Sequence, residues 1–154
     1  MCNFLSGIGL KNGDLLTADT DCHEDLVELY NLDDTKIEPN FVRLEYTNED
    51  LQKVKAYKLK IDENEVPDWV TDELRDKWRR KFISRLKNIV VDTNRKVLIG
   101  GRYILVGDIT IGKLVNCIIL DAGNATIKYA GHATIQNAGN ATIINKQHAK
   151  ITKE

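Results

Sequence analysis

The sequence has few of the residues that crosslink a chain or hold a metal. Among 154 residues there are three cysteines and two prolines, and aromatic residues make up 6%. Cys2, Cys22 and Cys117 are odd in number and widely spaced, so they match neither a disulfide framework nor a zinc-ligand spacing. We therefore expect free thiols in a reducing cytoplasm, with no metal and no cofactor.

The sequence also lacks a large net charge and a long apolar segment. Its formal net charge is −1, so no overall field attracts nucleic acid or an anionic membrane. The longest apolar run falls short of the roughly 18–20 residues that cross a bilayer. The N-terminus has neither the basic start nor the apolar stretch of a signal peptide. We expect no membrane partner and do not expect nucleic acid to be one.

Charged residues are scarce in the last third of the chain. Only eight of the 45 charged residues lie from residue 106 onwards. Gly100 and Gly101 stand just before this change and supply a flexible junction. The composition therefore predicts an α+β globular domain over residues 1–103 and a separate repeat tail over residues 104–154.

Short patterned segments predict the elements of the first domain. Asn12-Gly13 lies between two apolar runs and predicts a β-hairpin, because a type I′ turn needs positive φ at both central residues. Asp21 and Glu24 have the spacing of a capping box and predict the start of a short helix. The alternating segments "NFVRLEYT" and "AYKLKI" predict a second antiparallel pair.

The longest predicted helix begins after Thr71, a good N-cap residue. Its apolar residues recur at helical spacing: Leu74, Trp78, Phe82, Leu86 and Ile89. The other side is basic: Arg75, Lys77, Arg79, Arg80, Lys81, Arg85 and Lys87. Such a face is most often a solvated surface. The functional alternative is an anion or phosphate site, since arginine presents forked donors that suit phosphate.

The tail repeats in units of eight. From residue 106 the octads read "VGDITIGK", "LVNCIILD", "AGNATIKY", "AGHATIQN", "AGNATIIN" and "KQHAKITK". A unit this short suits a β-solenoid rather than a helical repeat. Two octads per 16-residue coil would give three coils. Three octads per coil would give only two coils, which would bury less, so we favour two octads per coil.

Alternation along each octad predicts which side chains face inward. Gly123, Ala125 and Ile127 are predicted to share the inner face, with Asn124 and Thr126 outward. The tail isoleucines Ile127, Ile135 and Ile143 are predicted to form one buried seam. His132 and His148 replace asparagine in the turns and are not expected to bind metal. We expect the lysines of the last octad to blunt the open edge, and incomplete capping would make the protein a homo-oligomer.

Several motifs together resemble a family of uncharacterised bacteriophage and bacterial proteins. These motifs are "MCNFLSGIGLKNGD", "CHEDLVELYNLDDT", "NFVRLEYT", "IDENEVPDW" and the octads, so the resemblance covers nearly the whole chain. It implies a viral or prophage origin and brings no catalytic activity with it. The implied location is the cytoplasm of a bacterial host.

The first functional hypothesis is an accessory, anti-defence binding protein. It would sequester a host nucleotide signal or cover a host defence protein. The candidate ligand-binding residues supply cationic donors and an aromatic ring: Arg79, Arg80, Arg102, Tyr103 and Arg43.

Two alternatives remain open at this point. The solenoid could be a structural or oligomerisation element, which predicts assembly without a ligand. The third hypothesis is an enzyme, because removal of Met1 would expose Cys2 as an N-terminal nucleophile. The start of the chain resembles that of N-terminal-nucleophile amidohydrolases, and His23 is the candidate acid–base group. Asp21 and Glu24 are equally well explained as capping residues.

Overall fold

The computed structural model describes residues 3–35 and 39–152. The chain divides into two compact units between Arg85 and Leu86, and Asp50–Gln52 belong to the second unit. In the described ranges, no helix is both long enough and apolar enough to cross a membrane.

The first unit contains a four-stranded antiparallel sheet with the order β2-β1-β3-β4. The Asn12-Gly13 turn joins β1 to β2, but only Gly13 has a positive φ, of 96°, so the turn is not the predicted type I′. The predicted hairpin and the predicted pairing of the two later strands are both present. The strands are β1 (Ser6–Leu10), β2 (Leu15–Leu16), β3 (Phe41–Thr47) and β4 (Lys58–Ile61).

Two helices, α1 (His23–Leu29) and α2 (Asp72–Ile89), accompany this sheet along the chain. The predicted cap of α2 is confirmed, because the Leu74 amide donates to Thr71 Oγ1 at 3.2 Å. The predicted capping box of α1 is wrong. Cys22 is the N-cap residue and makes no side-chain cap.

Asp21 has a different role from the predicted one. Its Oδ1 accepts a hydrogen bond from the amide of Ser6 at 3.2 Å. The carboxylate therefore holds the start of β1. A side chain of this kind can satisfy a distant amide as readily as a helix terminus, so the local spacing did not decide between them.

Two glycines of β1 allow the aromatic residues of α2 to approach the sheet closely. Trp78 and Phe82 are fully buried, and the Phe82 ring stacks on Tyr46 with centroids 5.6 Å apart. A Cβ atom added to Gly9 would lie 2.6 Å from Trp78 Cε2 and 2.7 Å from Leu44 Cδ1. The absence of a side chain at this position therefore sets how closely the indole can pack.

We expect Gly9→Ala to destabilise the first unit by about 1–3 kcal/mol, the usual range for overpacking. Chemical denaturation monitored by tryptophan fluorescence measures this change. The control is the same substitution in a Trp78→Leu background, where the smaller side chain makes room and the cost of Gly9→Ala should fall. An equal cost in both backgrounds would mean that the indole does not set the limit.

The second unit is a β-solenoid built from two parallel sheets. The strands alternate between the sheets along the chain and form about four coils. One sheet has the order β12-β10-β8-β6 and the other β13-β11-β9-β7-β5. The strands are β5 (Val90–Val91), β6 (Arg95–Ile99), β7 (Arg102–Leu105), β8 (Thr110–Val115), β9 (Ile118–Asp121), β10 (Thr126–Tyr129), β11 (Thr134–Ile135), β12 (Thr142–Asn145) and β13 (Lys150–Ile151).

The coil length is 16 residues, as the two-octad arrangement predicts. Thr126 lies opposite Thr142, and Thr134 lies opposite Lys150, 16 positions later in each case. The solenoid begins at Val90, earlier than the predicted start at residue 104, and so contains an additional coil. This coil has no octad pattern. Its sequence "VVDTNRKVLIG" carries strand-forming residues without the repeated glycine and alanine.

The glycine of each octad has a different role from the predicted one. Gly123, Gly131 and Gly139 adopt φ of 55°, 58° and 55°, so they form the turns rather than the inner face of a strand. A Cβ at Gly131 would collide with the carbonyl oxygen of Leu114 in the preceding coil. Glycine is thus required here by both the backbone conformation and the close approach of the preceding coil.

The isoleucines form two columns rather than one seam. Ile127 stacks between Ile111 and Ile143 in one sheet, because each lies opposite the next in register. Ile135 belongs to the other sheet, where it stacks between Ile119 and Ile151. The prediction of a single seam is wrong because successive octads contribute to different sheets. Both columns border a core with the small buried residues Ala122, Ala125, Ala130, Ala133 and Ala138.

Ile135→Ala should lower the free energy of unfolding of the solenoid by about 2–5 kcal/mol, since this side chain is fully buried. Thr134→Ala, at the neighbouring position, should cost much less. Urea denaturation of the two variants compares these effects. Similar costs for both variants would contradict the assigned inner face of β11.

Candidate functional site

The predicted basic site on α2 is partly neutralised by a carboxylate of the same helix. Arg79 Nη2 lies 2.6 Å from Asp76 Oδ1, and Arg80 Nη2 lies 2.7 Å from Asp76 Oδ2. Both guanidinium groups thus bind one carboxylate at helical spacings of three and four residues. The hydrogen bond from Arg79 is the main cause that lowers the pKa of Asp76 below its ordinary value, and the charge of Arg80 adds to it.

Other cations of this face also pair with acidic residues of the first unit. Lys81 Nζ lies 3.5 Å from Asp14, and Arg85 Nη2 lies 3.5 Å from Asp19. Repulsion among clustered cations was the sequence argument for an external anion. Carboxylates of the chain itself relieve that repulsion, so the clustered cations do not require an external anion.

Arg43 of β3 pairs with acidic residues of the first unit. Its guanidinium contacts Glu63 at 3.1 Å, Glu24 at 3.4 Å and Asp34 at 3.7 Å. Burial by itself lowers the pKa of Arg43, but the hydrogen bond and charge of Glu63, with those of Glu24, more than offset this and raise it. Arg43 therefore links α1 to the segment after β4.

The remaining predicted site residues belong to other parts of the chain. Arg102 and Tyr103 lie on β7 of the solenoid, in the other compact unit. Arg102 is 9% exposed, and the Tyr103 hydroxyl donates to the carbonyl oxygen of Ile99 at 3.3 Å. Cys2, the proposed nucleophile, lies outside the described residues.

A compact cluster of potential metal ligands lies in the first unit instead. His23 at the start of α1, Glu45 on β3 and Asp62 after β4 each contribute one ligand atom, and these atoms lie within 4.8 Å of one another. His23 Nδ1 is 3.6 Å from Asp62 Oδ2. His23 and Glu45 are each only 2% exposed, whereas the side chain of Asp62 is 45% exposed. The cluster thus has two buried members, His23 and Glu45, and one accessible carboxylate, that of Asp62.

Neighbouring groups orient the two buried members of this cluster. The other imidazole nitrogen of His23, Nε2, lies 2.9 Å from the carbonyl oxygen of Leu44. Glu45 accepts hydrogen bonds from the Asn3 side-chain amide at 3.1 Å and from the Asn3 backbone amide at 3.4 Å. Since Leu44 and Glu45 are consecutive on β3, one strand positions both the imidazole and the carboxylate.

A cleft of about 630 Å³ lies in the same unit. The Trp69 indole forms part of its wall and donates to the carbonyl oxygen of Pro39 at 3.2 Å. Acidic side chains predominate among its charged residues. Its lining comprises Lys11, Pro39, Glu63, Asn64, Glu65, Val66, Pro67, Asp68 and Trp69.

The second candidate surface is the C-terminal end of the solenoid. β12 and β13 are the outermost strands, and in the described part of the chain no strand pairs with their outer edges. His132 and His148 stack at the turns of successive coils, with ring centroids 4.8 Å apart and planes inclined by 12°. The backbone ladder thus continues regularly into the last described coil.

Sequence analysis identified His23 but neither of its partners. Glu45 and Asp62 are remote from His23 in sequence and follow no ligand spacing, so only the pairing of β3 with β4 brings them together. Glu45 carried no distinguishing signal, because alternation places it on the mixed face of the strand "FVRLEYT" with Arg43 and Thr47, opposite the apolar face. A buried carboxylate in a strand normally has a specific partner.

Comparison with known proteins assigns neither a family nor a function to the chain. No protein-family model, curated protein or solved structure matches the chain. Function must therefore be inferred from the geometry of the His23–Glu45–Asp62 cluster and of the C-terminal end of the solenoid.

The arginine pairing on α2 predicts a measurable effect of pH. The pKa of Asp76 is depressed in the folded protein, so its contribution to stability is present above the unfolded pKa and is lost as the pH falls through the folded pKa. Arg79→Gln should move the Asp76 pKa upward, towards its ordinary value. NMR titration of the side-chain carboxyl group measures both values.

Arg85→Gln is the matched control for that titration, because it removes the same charge further along the helix. It should leave the Asp76 pKa nearly unchanged. If Arg79→Gln has no larger effect than Arg85→Gln, the hydrogen bond between Arg79 and Asp76 is not the cause of the shift.

Proposed function

We propose that the protein is a structural protein that self-associates through the C-terminal end of its solenoid. The observation that carries this proposal is the pair of outer edges on β12 and β13, which meet no other strand in the described residues. An edge of this kind presents backbone donors and acceptors that can pair with another strand. The same end of a second copy offers matching groups.

Exposure of the core at this end supports the proposal. Ile127 and Ile135 are fully buried, whereas Ile143 and Ile151, one coil later, are only partly buried. Ile144, at the outward-facing position of β12, adds to the last coil an apolar side chain that is 66% exposed. Removal of apolar surface from water contributes roughly 25 cal/mol per Å². A copy placed on this end would therefore gain both backbone pairing and apolar burial.

The two ends of the solenoid differ in a way that favours a closed dimer. β5 has only two residues, and Val90 lies opposite Ile104, 14 positions later instead of 16. A contact between the last coil of one copy and the first coil of another would join unlike edges and would propagate as a filament. Two C-terminal ends related by a two-fold axis present identical edges and close on themselves.

Lysines at this end limit the strength of the association. Lys146 and Lys150 are both exposed on the last coil. In a two-fold pair, the lysines of one copy approach those of the other, and like charges repel each other. Salt screens such exposed charges. The proposed association should therefore become stronger as the ionic strength rises.

Sequestration of a nucleotide-like signal receives less support from the contacts. A ligand phosphate at Arg79 and Arg80 would have to compete with Asp76, which contacts both guanidinium groups. The candidates Arg102 and Tyr103 belong to a different compact unit. Binding of a host nucleotide signal or defence protein therefore stays a prediction from sequence, and the structural role is the function we favour.

Sedimentation velocity over a range of protein concentrations tests the proposal. The wild-type protein should form dimers at high concentration. Ile144→Asn should weaken the association about tenfold, equivalent to about 1.4 kcal/mol. The matched control is Ile99→Asn, because Ile99 is 67% exposed and lies on β6 at the opposite edge of the same sheet.

The control variant should dimerise like the wild type. A wild-type protein that stays monomeric up to its solubility limit at high salt would contradict the proposed function. Equal weakening by both substitutions would show that the C-terminal end is not the contact.

A further inference from the structure

We propose that His23, Glu45 and Asp62 form a binding site for a divalent transition-metal cation, with Zn²⁺ as the best-matched ion. This inference is independent of the proposed self-association, because the three residues all belong to the first compact unit. Each residue comes from a different element, and the fold alone brings their ligand atoms within 4.8 Å of one another.

The separations match those around a small metal ion. Tetrahedral zinc, with nitrogen and oxygen ligands at about 2.1 Å, holds its ligand atoms about 3.4 Å apart. The distance between His23 Nδ1 and Asp62 Oδ2 is 3.6 Å, close to this value. The other separations involve Glu45 and are at most 4.8 Å, so tetrahedral coordination requires them to close by up to about 1.4 Å. The half-exposed side chain of Asp62 is the least constrained of the three and can close its own distance to Glu45.

The hydrogen bond of His23 prepares the imidazole for coordination. Because a carbonyl oxygen only accepts, Nε2 must carry the proton and donate it to the Leu44 carbonyl. In the neutral ring this leaves the lone pair on Nδ1, the nitrogen that faces Asp62. A metal-binding histidine usually donates its other N–H to a backbone carbonyl or a carboxylate, which fixes the tautomer and the ring orientation. His23 has this arrangement.

The carboxylates also favour a cation at this position. Glu45 is 2% exposed, and a buried carboxylate requires a compensating donor or charge. Asn3 donates to both carboxylate oxygens of Glu45 but carries no charge. Two carboxylates facing one imidazole form a site with a net negative charge when His23 is neutral. A divalent cation would neutralise that charge.

The donor set narrows the choice of cation. Imidazole suits zinc, iron and nickel, while an all-oxygen set suits magnesium and calcium. One nitrogen and two carboxylate oxygens therefore favour a transition metal over Mg²⁺. Three protein ligands, one of them accessible to solvent, leave a coordination position open for water or another ligand.

Isothermal titration calorimetry of the full chain with zinc chloride tests the site, with magnesium chloride as the comparison ion. Zinc should bind at one site per chain and more tightly than magnesium. Asp62→Asn keeps the size of the side chain and removes its charge, and it should weaken zinc binding at least tenfold. Circular dichroism of this variant checks that it is folded, as expected for a substitution at a half-exposed position.

Glu65→Gln is the matched control, since Glu65 is an exposed carboxylate three residues from Asp62 and its loss changes the net charge equally. This variant should bind zinc like the wild type. A second variant, His148→Asn, tests the stacked imidazoles of the solenoid as a rival zinc site.

Three results would overturn the proposal. One is a wild-type chain that binds no zinc, or binds zinc no more tightly than magnesium. Another is an Asp62→Asn variant that binds zinc like the wild type. The third is loss of binding in His148→Asn with retention in Asp62→Asn, which would assign the zinc to the solenoid turns. Loss of binding in Asp62→Asn alone would support the site.

Discussion

The 16-residue register between coils is the constraint on which the solenoid depends. Each strand finds its partner one coil away, so Thr142 pairs with Thr126 and Lys150 with Thr134. This register can persist only if every coil turns at the same places. The left-handed glycines Gly123, Gly131 and Gly139 provide those turns, and Gly131 and Gly139 also leave space for carbonyl oxygens of the preceding coil. A ladder of this kind presents backbone donors and acceptors at any edge that no further strand covers, and the proposed self-association rests on that property.

The repeat period could be predicted from sequence because it reflects this constraint directly. Coil length, parallel stacking and buried isoleucines follow from the octads themselves. The assignment of faces could not be completed from alternation alone, because a glycine at positive φ breaks the period-two pattern at each turn. The first coil was missed for a related reason. Its strands around Val90 and Val97 pair with later coils without sharing their sequence, so backbone pairing extends further than the repeat.

The complete candidate metal site could not be predicted from the sequence. His23 could be singled out by residue type, but its partners depend on how β3 pairs with β4 and on where α1 begins. For the basic face of α2, by contrast, the sequence suggested a site that the contacts do not favour. Its cations form an obvious group in sequence, yet Asp76 lies one helical turn before Arg79 and Arg80 and binds both. Counting cations without the acidic residues three and four positions away overstated the positive charge of that face.

The two compact units therefore differ in how the chain satisfies its polar groups. In the first unit, buried or partly buried charges such as Glu45 and Arg43 are compensated by specific side chains and backbone groups. In the second unit, the backbone ladder satisfies most polar groups, and charged residues are few. A ligand site needs fixed charges at defined positions, whereas an assembly surface needs a repeated backbone edge. The His23 cluster and the end of the solenoid meet these separate requirements, so cation binding and self-association can each be present without the other.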